Sequence, residues 1–251
     1  MGLTKIRVGT DEYDIDGVVF DKDGLLFDSL HFWKGLGDVR IATLAEIDRF
    51  PVEEWCRLFG VRLEEGKVAD IDPNGIFAIA SPQEEATVTA ALLHDATGSE
   101  WGWCRNEAAA AFKRSDERFD VRKVLLPKPG FPDIFRRLRE AGIPYGIATS
   151  DDAERTRISV DAYDRADSLS FIITPADVKK GKPSPDMLHR ASDILGVPAG
   201  KLLMLGDSYV DVQMAYEAGS IGIGIPDDEG MKAKMSPYAS KIISSLEEIE
   251  F

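Results

Sequence analysis

VVFDKDGLLFDS, residues 18–29, runs three apolar residues straight into two carboxylates, Asp21 and Asp23. Val18, Val19 and Phe20 read as a strand buried on both faces, because no polar residue alternates with them. Ligands of parallel sheets bind beyond the carboxyl ends of the strands, and Asp21 and Asp23 stand there. In extended chain an i, i+2 spacing aims both side chains the same way. Two acids so placed repel each other unless a cation lies between them. A hard divalent ion such as Mg2+ takes few carboxylates and leaves positions for water and phosphate oxygens. Turn chemistry at Lys22-Asp23-Gly24 is the plainer alternative.

Outward from this stretch the chain has two regimes. From about residue 128 onward, short apolar runs alternate with helix-like segments. FPDIFRRLREAG (131–142) puts Ile134, Phe135, Leu138 and Ala141 on one helical face and ends in Gly142, a usual C-cap. IPYGIATS (143–150) and SFIIT (170–174) read as strands around a helical DDAERTRISVDAYDRA (151–166). SPDMLHRASDILG (184–196) takes Ser184 as its N-cap and Pro185 at the first helical position. KLLMLGD (201–207), YVDVQMAYEAG (209–219), SIGIGIP (220–226) and KIISS (241–245) complete the alternation. Continuous apolar runs separated by helices indicate an α/β fold: a doubly wound, Rossmann-like parallel sheet.

Residues 30–126 read differently. LHFWKGLGDVRIATLAEIDRF (30–50), VEEWCRLFG (52–60), SPQEEATVTAALLHDATG (81–98) and NEAAAAFKRSDERF (106–119) are helix-like, and strand signals are scarce. Ser81 and Glu84 fit a capping box. The expected organisation is an α/β core over 1–29 and 127–251, with a mainly helical insert over 30–126. WGWC (101–104) falls between helices, its two tryptophans lining a pocket or filling the insert's core.

Three further strand ends carry polar residues. KLLMLGDSYVDVQMA repeats the design of the opening stretch: Asp207 ends a strand, and Asp211 falls in the first turn of the next helix, where the dipole favours a carboxylate. IATSDD (147–152) ends in hydroxyls. Thr149 or Ser150 can donate to an anion there, while Ser150 or Asp151 as a helix cap explains the segment equally well. VKKGKPSPD (178–186) offers Lys182 in a Gly-Pro turn, able to aim one ammonium at an anion. It is not a nucleotide P-loop, since Ala176 stands where a glycine is required and Pro183 where a Ser or Thr is.

In chain order, FDKDG, GIATSDD, GKPSPD and the GDSYVD of 206–211 resemble the four motifs of the haloacid dehalogenase superfamily, most of all its phosphoglycolate-phosphatase-like branch. The insert sits where that family's type-1 helical cap sits. The resemblance implies a phosphatase acting on a small phosphorylated metabolite through an aspartyl-phosphate. Asp21 would be the nucleophile, and Asp23 the general acid and then the base. Thr149, with Ser150 as the lesser donor, would bind the phosphoryl group, and Lys182 would hold Asp21 ionised. Mg2+ would be held by Asp21, the backbone carbonyl of Asp23 and Asp207, with Asp211 beside it or reaching it through water. Gly24 and His31 would meet substrate, and the cap would choose the leaving group; His31, Trp33 and Lys34 open its first helix, and Arg57, Arg62 and Lys67 can meet an anionic leaving group, although no basic patch is legible over 30–126. Branches that cut carbon–halogen or carbon–phosphorus bonds generally lack the second acid, so Asp23 points to phosphate esters. A phosphomutase of the β-phosphoglucomutase type keeps the same motifs and stays open, as does a non-catalytic phosphate-binding protein.

The totals narrow the partners. A net charge of −14 repels nucleic acid and anionic membranes at long range. The polar start has no signal-peptide core, and no apolar stretch is long enough for a bilayer. Two cysteines, Cys56 and Cys104, make no disulfide framework. A cytoplasmic monomer or homodimer is expected.

Overall fold

Val18, Val19 and Phe20 are buried because their strand runs through the middle of a six-stranded parallel sheet. The structure, a computed structural model, describes residues 4–72 and 75–250. In chain order the strands are β1 (Thr4–Val8), β2 (Asp11–Ile15), β3 (Gly17–Phe20), β4 (Val61–Glu64), β5 (Lys67–Ile71), β6 (Tyr145–Ala148), β7 (Ile172–Ile173), β8 (Leu202–Gly206), β9 (Ile221–Gly224), β10 (Lys241–Ile242) and β11 (Ile249–Glu250). The large sheet has the order β10-β9-β8-β3-β6-β7, and each neighbouring pair is parallel. From β3 the chain fills one side with β6 and β7, then crosses to build β8, β9 and β10 on the other. β3 is therefore the switch point, where such sheets open a crevice for ligands.

Both faces of the sheet are covered, as the unbroken apolar runs require. Against one face Val19, Ala148, Leu202 and Met204 pack with Met187, Leu188 and Ala191 of the helix Asp186–Leu195 and with Met214 and Ala215 of Tyr209–Ala218. Against the other, Phe20 meets Phe135 of Asp133–Ala141 edge-on at 5.0 Å, and Phe135 meets Tyr145 at 4.7 Å. Ile134, Phe135 and Leu138 are buried there as the periodicity predicts. Ala141 is exposed, because the last turn runs past the core before Gly142 ends it in the left-handed region. The helix after residue 184 begins at Asp186, so Ser184 is not its N-cap and donates to Asp186 Oδ1 instead.

The chain divides into two units, Met1–Asp28 with Leu125–Phe251, and Ser29–Val124. Each contains a β element that no helix periodicity signals. In the first, β1 and β2 form a hairpin that β11 joins from the far end of the chain. In the second, β4 and β5 pair around Glu65 and Gly66, both at positive φ (51° and 77°), as a tight two-residue hairpin requires. The rest of the second unit is helical, with Ser29–Leu44, Val52–Phe59, Ile76–Ile79, Pro82–Thr97 and Trp101–Arg118. Ser81 and Glu84 form the expected capping box. Trp55 fixes the core of this unit, stacked on Phe59 at 4.1 Å with its indole N–H donating to Thr89. WGWC is not an inter-helix segment but the first turn of Trp101–Arg118. Its Cys104 is buried with Ala108, Ala111 and Phe112 on one stripe, which leaves Trp101 and Trp103 exposed rather than in the core. No helix among the described residues is long and apolar enough to cross a membrane.

The second unit also buries a carboxylate, Glu85, whose Oε2 has no hydrogen-bond partner. Burial pushes its pKa up to about 7, against the pull of Arg40 and with a push from Asp116. The folded value lies above the unfolded one, so the stabilising protonated form is complete below the ordinary glutamate range. It is lost as pH rises through about 7. Glu85→Gln keeps the shape and removes the charge. It is expected to stabilise the chain by roughly 2–3 kcal/mol at pH 8, and by little at pH 4. Urea melts at the two pH values check this, and equal effects at both would contradict it.

Candidate active site

β3, β6 and β8 end at the same height, because Phe20 lies opposite Ile147 on one side and Leu205 on the other. The loops that follow start side by side and carry Asp21 to Gly24, Thr149 to Asp152, and Asp207. Lys182 reaches the same place from the segment between β7 and the helix Asp186–Leu195. Its Nζ lies 2.6 Å from Asp21 Oδ1 and 2.6 Å from Asp211 Oδ1, and its side chain is 4% exposed. Burial acts to lower the lysine's pKa, but the two carboxylates outweigh it and the group stays charged. Asp21 is pushed up by burial, held down by Lys182, and pushed again by Asp211.

Asp211 does two things at once. Its Oδ2 accepts from the backbone N–H of Ser208 at 3.1 Å, closing the first turn of Tyr209–Ala218, while Oδ1 meets Lys182. Asp207 is half-buried, and its pKa is pushed well above the ordinary value by burial first, then by Asp21 and Asp211. Gly24 explains how the loops approach so closely. It has a φ of +86°, and a Cβ there would stand 1.9 Å from Asp207 Oδ2. Only glycine satisfies both conditions.

Thr149 is buried, its N–H donating to Ile173 and its Oγ1 accepting from the N–H of Asp151, which leaves its own O–H to donate. Ser150 is exposed. The helix that follows is capped by neither Ser150 nor Asp151. It starts at Ala153, one residue later than an Asp151 cap and two later than a Ser150 cap would place it, and Asp152 accepts from Arg155 N–H at 2.7 Å. That shift releases Asp151 for another partner, Lys22. The lysine between the two acids is fully buried, its Nζ 2.7 Å from Asp23 Oδ1 and 2.9 Å from Asp151 Oδ2. Neither Lys22 nor Asp151 stands out in the sequence as a pair. The signal available was the doublet Asp151-Asp152, of which one acid suffices for a cap.

Asp21, Asp23, Gly24, Thr149, Lys182, Asp207 and Asp211 thus belong to one rim of the first unit. His31 lies in the helix Ser29–Leu44 of the second unit. Among the described residues, Asp21, Asp207 and Asp211 offer carboxylate oxygens that all lie within 4.8 Å of one another. Hard oxygen donors crowded this closely, with Asp21 and Asp207 both pushed up first by burial and then by neighbouring carboxylates, fit a hard divalent cation such as Mg2+. Asp23 is outside that group, its carboxylate being engaged by Lys22.

Comparisons with known proteins place the chain in a family. A family model described as haloacid dehalogenase-like hydrolase matches residues 15–219. The phosphoglycolate phosphatase of Escherichia coli (strain K12) is 31% identical over 97 residues, covering 39% of this chain and 38% of that protein. A bifunctional phosphonoacetaldehyde hydrolase/aminoethylphosphonate transaminase of Clostridioides difficile (strain 630) is 27% identical over 156 residues, covering 52% of this chain and 24% of that one. The matched segments thus span well under two thirds of these relatives' lengths. A crystal structure of a HAD-superfamily hydrolase, subfamily IA, variant 1, from Geobacter sulfurreducens superposes with a TM-score of 0.58 at 20% identity, covering 93% of this chain and 94% of that one. At that identity the likeness concerns the fold.

Proposed function

The chain belongs to the haloacid dehalogenase-like hydrolase family, and on that premise we propose that it is a Mg2+-dependent phosphatase of a small phosphate monoester. The observation that carries the reading is a buried carboxylate, Asp21, with one ammonium at 2.6 Å and further carboxylates within 4.8 Å. Repulsion of this kind is costly for a fold to maintain, and phosphoryl transfer is a reaction that uses it.

In the proposed reaction an Asp21 carboxylate oxygen attacks phosphorus, and the bond from phosphorus to the ester oxygen breaks. Lys182 keeps Asp21 ionised against the effect of burial and offsets charge on the phosphoryl oxygens. Asp23 donates its proton to the leaving oxygen. Burial pushes the Asp23 pKa up, against the pull of Lys22, which is the direction a proton donor near neutral pH requires. Asp23 then takes a proton from water, whose oxygen attacks phosphorus and returns Asp21 as a free carboxylate with phosphate as product. The Thr149 O–H holds a phosphoryl oxygen, with Ser150 or its backbone N–H as the lesser donor, since the N–H groups of Thr149, Asp151 and Asp152 already have partners. Asp21, the Asp23 carbonyl and Asp207 would hold Mg2+, which supplies charge neutralisation and in-line positioning when bound. Asp211 has both oxygens engaged and serves to hold Lys182. A leaving oxygen needs a proton, and so Asp23 favours ester cleavage. The inserted unit, His31 among its residues, is assigned the choice of leaving group.

A phosphate-release screen over small phosphate esters tests the reading. Release that requires Mg2+ and stops with EDTA is expected, and a protein inert across a wide panel would contradict it.

A further inference from the structure

Lys22 is the largest charged side chain wholly withdrawn from solvent, and the proposed reaction assigns it nothing. A residue between two acids on an extended strand end is expected to lie on the opposite face from both. Its Nζ nevertheless comes back to within 2.7 Å of Asp23 Oδ1 and 2.9 Å of Asp151 Oδ2. Asp151 is itself fixed from three sides. Its Oδ1 accepts from the Asp152 N–H at 2.9 Å and lies 3.2 Å from the Arg155 guanidinium, and its own N–H donates to Thr149 Oγ1. The chain Arg155–Asp151–Lys22–Asp23 therefore ties the loop after β6 to the loop after β3. Burying such a set rarely adds stability over an apolar residue of similar volume, so a gain in stability does not account for it.

We propose that Lys22, with Asp151 as its counter-anion, is a positioning residue that fixes the Asp23 carboxyl for proton transfer to the leaving oxygen. The inference rests on the phosphatase reading above. Lys22 holds one oxygen, Oδ1, which leaves Oδ2 as the atom that carries the proton. The same tie sets the Thr149 hydroxyl, since the Asp151 N–H occupies one of its lone pairs. Rotation of Asp23 is thereby coupled to the loop that binds the phosphoryl group. An apolar residue at position 22 would leave the carboxyl free to turn, and the proton would arrive at the wrong place.

The test uses the 251-residue chain and a series of phosphate monoesters, from p-nitrophenyl through phenyl to alkyl, with kcat/KM as the readout. That ratio reports the step in which the leaving oxygen departs. Good leaving groups need no proton and poor ones do, so Lys22→Met should act selectively. The expected loss is under about 5-fold for p-nitrophenyl phosphate and at least ~100-fold for the alkyl ester, the range that a positioned acid supplies. Asp151→Asn, which leaves Lys22 in place without its counter-anion, should steepen the leaving-group dependence in the same sense with a smaller loss. It also serves if Lys22→Met does not fold. A parallel loss across the series, or no loss, would overturn the proposal and make the tie a strut between loops. A wild-type chain inert toward every ester would instead remove the phosphatase reading beneath it.

Discussion

Asp21→Asn is expected to lower phosphate release by at least ~10^4-fold, the scale on which removal of a nucleophile acts in enzymes that form a covalent intermediate. The amide nitrogen and the neutral carbonyl cannot attack phosphorus, and no other carboxylate stands where Asp21 does. Asp211 has its two oxygens committed to Ser208 and Lys182, and Asp23 is held by Lys22. The fold should survive the change. Asparagine fills the same volume, Lys182 keeps Asp211 at 2.6 Å, and one of three crowded carboxylates is gone. A thermal melt within a few degrees of wild type, beside the lost activity, separates a chemical defect from unfolding. An Asn variant that kept its rate would remove Asp21 from the reaction.

Lys182→Met should damage both stability and rate. The ammonium touches Asp21 and Asp211 in a place with almost no solvent, and its loss strands two buried carboxylates beside Asp207. Breaking a buried pair in this way costs about 3–5 kcal/mol, on the order of 10 °C in melting temperature for a chain of this size. The sign with pH follows from the neighbours. Asp21 and Asp207 already have pKa values raised by burial, and without Lys182 they rise further. The cost is therefore absent below the ordinary carboxylate range and grows as pH rises through the folded values. The deficit against wild type should be smaller at pH 5 than at pH 8. Phosphate release should fall by at least ~100-fold, since a fixed charge aimed at the phosphoryl oxygens is lost as well. A melt unchanged at pH 8 would show that the pair contributes nothing to the fold.

The parallel sheet was legible in the sequence because a strand buried on both faces has no choice but a continuous apolar run. Val18–Phe20 and Leu202–Leu205 are such runs, the first followed directly by Asp21 and the second by Gly206 and then Asp207. The hairpin of β1 and β2 was not, although Ile6 and Val8 are buried between exposed Lys5 and Arg7 around a glycine at positive φ. Its alternation spans too few apolar residues to compete with a polar reading, and its third strand, β11, comes from more than two hundred residues away. The β4–β5 hairpin was masked by strong helices on either side, with Gly66 its one overt signal. In the site, residues that end strands could be placed one by one, because strand ends converge by topology. The Lys22–Asp151 pair could not. It joins two loops through side chains that depart from the alternation, and only the late start of the helix at Ala153 frees Asp151 to take part.

Asp23→Asn mixed with p-nitrophenyl phosphate and Mg2+, quenched in acid and digested, tests the central claim most directly. The good leaving group departs without a proton, while the step that needs Asp23 as base is slowed, so the intermediate should accumulate. A peptide containing Asp21 that is heavier by one phosphoryl group, with the added mass on Asp21, is the predicted result. An unmodified Asp21, or the phosphoryl group on another residue, would contradict the account.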